Sequence, residues 1–226
     1  MEANKIIITG GATRIGAAIA RKLSGKGVEI VIHYNKSKTK AEKLKKELST
    51  NGTKVYLIKG DLSVESDVNK VVKFAKSKLK YFDCLINNAS LFENDKLENF
   101  NTDSWGQHLR TNLRTPALLS KEFAKNIKSK NNNIINIIDQ RVFKLTPYFF
   151  SYTISKTGLY TLTKTSAMSL APKIRVNGIA PGPTIKNKRQ SEKHFKKQYM
   201  ATPLKRQVDV QQLSLIHISE PTRLHL

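Results

Sequence analysis

The 226-residue chain reads as an α/β domain built on a doubly wound parallel sheet. Three observations predict this class. Short apolar, β-rich runs alternate with stretches of helical periodicity along the chain. The runs are almost continuously apolar, as strands covered by helices on both faces must be. Unusual residues cluster at the carboxyl ends of these runs, where such folds hold their ligands.

Each element carries its own signal. The strands are KIIIT (Lys5–Thr9), VEIVIHY (Val28–Tyr34), KVYLIK (Lys54–Lys59), DCLIN (Asp83–Asn87), NIINII (Asn133–Ile138) and IRVNGIA (Ile174–Ala180). Helical spacing of apolar residues predicts helices over Gly16–Ser24, Lys38–Leu48, Glu65–Lys80, Asp103–Lys128 and about Phe150–Ser169, as in VNKVVKFAKSKL. Turn signals such as Asn51-Gly52 separate them. No internal repeat and no long Pro/Gly/Ser linker divides the chain.

The bulk numbers bound the function. A chain of this length suits one domain with a sizeable core, and 39% hydrophobic residues exclude a disordered chain. The single cysteine, Cys84, gives no disulfide framework and fits a reducing compartment. MEANKIIITG has no signal-peptide pattern, and no apolar run approaches the roughly 18 residues of a membrane span. A cytoplasmic protein with no membrane partner and no metal site is expected. The net charge of +23 invites a nucleic-acid partner. The lysines, however, are spread over KSKTKAEKLKKE, KVVKFAKSKLK, KEFAKNIKSK and KNKRQSEKHFKKQ, which read as solvated faces of several helices. Asn and Ile are also abundant, as a coding bias toward A and T would produce. No specific nucleic-acid binding is expected.

The strand ends TGGATRIG, HYNKS, GDLS, NNAS, Asp139 and APGPT should converge on one crevice. TGGATRIG follows the first strand and opens the first helix. Gly10, Gly11 and Gly16 permit a tight turn and close approach to a phosphate, and the helix N-terminus offers free N–H groups to a pyrophosphate. Glycines in a turn also serve merely as turn-formers. The second strand ends at Asn35, Lys36 and Ser37, where a reader of an unphosphorylated ribose carries an acid. These residues, with Arg14, suit a 2′-phosphate through charge-assisted hydrogen bonds and favour NADPH over NADH. Lys36 also reads as one more surface lysine; the missing acid is the better signal.

The Gly-rich turn, NNAS and the Tyr152-x-x-x-Lys156 pair together resemble the short-chain dehydrogenase/reductase family, from about Lys5 to Gln212. The resemblance implies a three-layer Rossmann fold. Three departures stand out: Arg14 replaces the middle glycine of TGxxxGxG, the family's NNAG reads NNAS, and Asp139 stands where the family has a serine. Those departures are similar to the pteridine reductase branch, in which a phenylalanine two residues after the NNAS serine, here Phe92, stacks on the pterin. Residue by residue, the resemblance implies Tyr152, Lys156 and Asn112 as catalytic groups, with Lys156 also holding the nicotinamide ribose. It implies cofactor contacts from Gly10, Arg14, Ile15, Gly16, Asn35, Lys36, Ser37, Asp61, Asn88, Ala89, Pro181, Gly182 and Thr184. Arg14, Ser90, Phe92, Asp139 and Tyr152 would meet the substrate. A homo-oligomer, dimer or tetramer, is implied for the full-length form.

Chemistry gives these residues roles. Tyr152 and Lys156 lie at i and i+4 on one helix face, so the ammonium is expected to lower the phenol from its reference near 10. Reducing a C=N bond needs hydride on carbon and a proton on nitrogen, and Asp139 is expected to supply or relay that proton with Tyr152. A strand-end carboxylate can instead cap a turn or pair with Arg141. The expected function is NADPH-dependent reduction of a dihydropterin or dihydrofolate-like C=N bond. A carbonyl (3-oxoacyl-type) reductase of the same family is the alternative, and a noncatalytic basic nucleic-acid-binding module the more distant one. After ATPLKRQVDVQQL the chain reads SLIHISEPTRLHL, unlike the family. One domain over residues 1–213 is expected, with 214–226 a non-native tail and the family's last strand missing.

Overall fold

A computed structural model describes residues 4–128, 132–186 and 190–209. The expected tail and missing strand after residue 213 lie outside the described residues. Six strands form one parallel sheet: β1 (Lys5–Ile8), β2 (Glu29–Tyr34), β3 (Lys54–Lys59), β4 (Cys84–Asn87), β5 (Asn132–Ile137) and β6 (Ile174–Ile179). Their order is β3-β2-β1-β4-β5-β6. The chain therefore reverses direction across the sheet beside β1, and that switch point opens a crevice at the carboxyl ends of β1 and β4.

Alternation along the strands feeds two cores. On β1, Ile6 and Ile8 face one layer and Ile7 the other. The first layer packs against α1 (Arg14–Leu23) and α2 (Lys38–Ser49) through residues such as Ile19, Ala41, Leu44 and Leu48. In the second, Val68, Val71, Ala75 and Leu79 of α3 (Glu65–Leu79) pack with Leu119 and Phe123. The lysines of α2 point to solvent while Ala41, Leu44 and Leu48 are buried, so this part of the charge is a wet helix face. Among the described residues no helix is long and apolar enough to cross a membrane.

All six expected strands form. The helix expected over Asp103–Lys128 is broken. It runs as α4 (Thr102–Leu109), a wide π turn over Arg110–Arg114, and α5 (Thr115–Ala124). Pro116 explains the break, because it has no N–H for the Asn112 carbonyl four residues earlier. The long helix α6 (Phe150–Leu170) carries Tyr152 and Lys156, and α7 (Glu192–Met200) follows β6.

Candidate active site

Two adjoining cavities occupy the carboxyl end of the sheet. The first, about 290 Å³, is lined by Gly10, Thr13, Asn35, Lys36, Ser37, Asp61 and Ser90, among others. The second, about 600 Å³, is lined by Arg14, Ile15, Asn88, Phe92, Asp139, Lys156, Pro181, Gly182 and Thr184, among others. Gly10, Thr13, Ala89, Ser90 and Leu91 border both. The strand-end residues therefore converge, as their positions predict.

The glycine turn is held from behind. Gly10 adopts φ +59°, and a Cβ there would lie 3.0 Å from the Ala89 Cα. At Gly16 a Cβ would lie 2.5 Å from the Gly10 carbonyl oxygen, so only glycine fits. The Thr9 hydroxyl accepts from the amides of Asn88 and Ala89, at 3.0 Å each. Asn88 Nδ2 donates to the carbonyls of Thr9 and Gly10 at 2.9 and 3.0 Å. His33, buried in β2, accepts from the Gly10 amide at Nδ1 (3.2 Å) and so presents its Nε2–H to the Gly60 carbonyl at 3.0 Å. Burial lowers the His33 pKa, keeping the ring neutral for this bridge. Sequence reasoning passed over Thr9 and His33, because nothing marks a strand-end histidine as a brace until β1 and β3 flank it.

Arg14 lines the second cavity with Ser90, Phe92 and Asp139, the residues expected to meet substrate with it, and not the cavity of Lys36. Its φ of 53° is left-handed, which costs an L-residue roughly 1–2 kcal/mol and explains why the family pattern has glycine here. Its guanidinium crosses the second cavity and donates to the carbonyls of Ile185 and Lys186, at 2.9 and 3.0 Å. It does not line the first cavity, whereas Asn35, Lys36 and Ser37 do. Asp61 shares that cavity. The Ser63 amide and hydroxyl bond its carboxylate at 2.9 and 2.8 Å and, with Asn35, hold its pKa low.

The far end is an Asp–Tyr pair. Asp139 follows β5 and lines the second cavity. Its Oδ1 accepts from the Arg141 amide at 2.8 Å, capping a short 3₁₀ turn. Its Oδ2 accepts from the Tyr152 hydroxyl at 2.7 Å. One carboxylate thus caps the turn and also bonds the phenol. Tyr152 is only 4% exposed, and its pKa is raised well above 10 by burial first, then by the Asp139 charge and hydrogen bond. The expected lowering by Lys156 is therefore corrected. The ammonium donates to the Ile137 carbonyl at 2.8 Å, and the desolvated phenol answers to the nearer carboxylate. Burial brings Lys156 itself down to about 8.

Asn112 lies in the π turn, fully buried. Its Oδ1 accepts from the Leu91 amide (2.8 Å) and the Ser90 hydroxyl (3.2 Å). Its Nδ2 donates to the Leu91 carbonyl (3.0 Å) and Ser155 Oγ (2.9 Å). The side chain thereby ties the loop after β4 to α6. Phe92 lines the cavity but is already stacked on Phe149, with centroids 4.4 Å apart and planes at 7°, and meets the Tyr152 ring edge-on at 4.6 Å. Thr184 is buried and turns its hydroxyl back to the Gly182 carbonyl at 2.9 Å.

Among the described residues no group of three or more His, Cys, Asp or Glu is placed to hold a metal ion. The arrangement can cradle a phosphate-bearing ligand across the glycine turn and can move a proton between a buried phenol and a cavity-facing carboxylate.

Comparison with known proteins agrees with this frame. Among curated proteins, a 3-oxoacyl-[acyl-carrier-protein] reductase of Synechocystis is 29% identical over 184 residues, covering 80% of this chain and 74% of the relative. Among solved structures, FolM Alternative dihydrofolate reductase 1 from Brucella canis, complexed with NADP, is 40% identical with a TM-score of 0.87, covering 92% of this chain and 83% of that one. The Brucella suis protein of the same description, also in complex with NADP, is 39% identical with a TM-score of 0.88, covering 93% and 85%. The sequence model described as short chain dehydrogenase matches residues 4–197. Matched over most of its length, the chain belongs to the short chain dehydrogenase family.

Proposed function

We propose that this oxidoreductase uses NADPH to reduce a C=N bond of a dihydropterin or dihydrofolate-type substrate. One observation carries the reading: Asp139, which faces the cavity, is hydrogen-bonded at 2.7 Å to the buried Tyr152 phenol. A hydroxyl-bearing residue at position 139 would suffice to hydrogen-bond a carbonyl. A carboxylate that can hold and pass a proton suits a nitrogen that must receive one. The Brucella proteins, at 39–40% identity and described as dihydrofolate reductases complexed with NADP, support both the substrate class and the cofactor.

The residues fit the dinucleotide. Gly10 and Gly16 leave the space a Cβ would fill, and two joined cavities run from Lys36 to Lys156. Asn35, Lys36 and Ser37 would take the 2′-phosphate, and Pro181, Gly182 and Thr184 would flank the nicotinamide end beside Lys156. When bound, NADPH supplies the hydride. Phe92 and Arg14 would place the flat substrate ring, with Ser90 at its edge. As nitrogen gains negative charge it becomes a far stronger base than a phenolate, so even a phenol with a raised pKa can supply its proton. Tyr152 gives its O–H proton toward Asp139 Oδ2, and Asp139, nearer the cavity, delivers a proton to the nitrogen. The C=N π bond becomes one C–H and one N–H bond.

Carbonyl reduction is the second reading, favoured by the curated 3-oxoacyl relative. NADPH oxidation measured with dihydrobiopterin, dihydromonapterin, dihydrofolate and a ketone panel separates the two. A dihydropterin is expected to give the highest kcat/KM; preference for a 3-oxoacyl thioester would overturn the proposal.

A further inference from the structure

The first turn of α6 lacks a cap of its own. Its N-cap residue is Phe149, whose side chain has no acceptor and whose backbone is left-handed at φ +59°. A bulky residue rarely takes that conformation unless its surroundings hold it there. The open N–H groups are met from across the site, by the loop that follows β4. Asn94 Oδ1 accepts from the Phe149 amide at 3.2 Å, and the Asp95 carbonyl accepts from the Phe150 amide at 3.3 Å. Asp95 Oδ1 accepts from the Ser151 amide at 3.0 Å, while Oδ2 accepts from the Ser151 hydroxyl. Two ring contacts run alongside: Phe92 stacks on Phe149, and the Lys96 ammonium lies 5.0 Å from the Tyr148 ring centroid.

We propose that Asp95 is a positioning residue: it locks the first turn of α6 to the loop that carries Ser90 and Phe92, and so aims Tyr152 at Asp139. Ser151, which Asp95 holds by two bonds, is the residue before Tyr152. The Tyr152 oxygen has narrow tolerance, since it must meet Asp139 Oδ2 at 2.7 Å. The carboxylate contributes in a second way, because a negative charge at a helix N-terminus is favourable. Asp95 itself does not line either cavity, so it acts only through the residues it holds. The inference rests on Tyr152 being the proton donor of the proposed reaction.

The test compares Asp95→Ala, Asp95→Asn, Ser151→Ala and Tyr152→Phe. Three quantities are read: amide hydrogen exchange of the first turn of α6 without cofactor, NADPH affinity, and kcat and KM for dihydrobiopterin. Asp95→Ala is expected to speed exchange at Phe150 and Ser151 by about tenfold or more. It should lower kcat by about 10- to 100-fold, the effect of a misplaced reacting group, and leave NADPH affinity unchanged. Asp95→Asn, which keeps an acceptor for the Ser151 amide, should recover most of both losses. Ser151→Ala should lower kcat several-fold and decides the matter if Asp95→Ala does not fold. Parent-like kcat in both Asp95→Ala and Ser151→Ala, or in Ser151→Ala alone if the former is unfolded, overturns the inference. So does a matching loss of NADPH affinity. Full activity in Tyr152→Phe would instead sink the reading of the reaction.

Discussion

Lys156 is 2% exposed, with its ammonium on the Ile137 carbonyl. Burial brings its pKa from 10.5 to about 8, a penalty on the charged form on the order of 3 kcal/mol. The sign follows from linkage: the folded state binds this proton less tightly than the unfolded chain. The penalty is complete below pH 8 and disappears as pH rises to 10.5. In urea unfolding, the stability of the parent relative to Lys156→Met should therefore rise between pH 8 and 10.5; a flat difference would contradict the assigned burial. Tyr152 shows why its neighbour's pKa effect is not legible from spacing. A Tyr-x-x-x-Lys pair places two groups on one helix face, but it does not say that the ammonium turns to a strand carbonyl while a carboxylate thirteen residues upstream takes the phenol. Arg14 is a similar case. The sequence shows a cation in the turn, while only the fold shows its guanidinium reaching the loop after β6.

At the level of elements, the strands are legible because their apolar runs are short, β-branched and bounded by turn residues. The break at Arg110–Arg114 is less so, since the apolar spacing continues through it and only Pro116 marks it. That turn matters because it carries Asn112 into the gap between α6 and the loop after β4. Asn112→Leu would leave the Leu91 amide and carbonyl unpartnered in the loop that carries Ser90 and Phe92. Each buried polar group left unsatisfied costs roughly 1–3 kcal/mol. We expect a lower melting temperature together with weaker dihydropterin binding. An unchanged melting temperature would show that the loop finds other partners. Gly10, Gly16 and the six strand ends are the part of the site most legible in sequence, because a switch point at β1 forces them together once the sheet is parallel.

For the whole molecule, surface charge and the reading of the 2′-phosphate are the quantities to measure. The net charge of +23 includes exposed lysines that line α2 and α3. Such a surface should bind duplex DNA weakly, without sequence preference, and lose it by about 0.15 M salt. Tight, selective binding at that salt, read by fluorescence anisotropy, would revive a nucleic-acid role. Lys36 is the lysine proposed to differ from the rest. Lys36→Asp should lower the NADPH-to-NADH ratio of kcat/KM by about tenfold or more, since it exchanges a charge-assisted bond for repulsion. An unchanged ratio would return Lys36 to the general surface.

A cavity-facing carboxylate, joined to a buried phenol, is the group proposed to serve a C=N bond. Asp139→Ser tests it most directly, with NADPH oxidation followed against dihydrobiopterin and against an activated ketone. Serine still hydrogen-bonds a carbonyl but carries no transferable carboxyl proton. Dihydropterin turnover should fall by about 10²–10⁴-fold, the usual contribution of a positioned acid–base group, while ketone turnover falls much less or rises. An Asp139→Ser variant that reduces dihydropterin as fast as the parent would show that the carboxylate takes no part in the proton transfer.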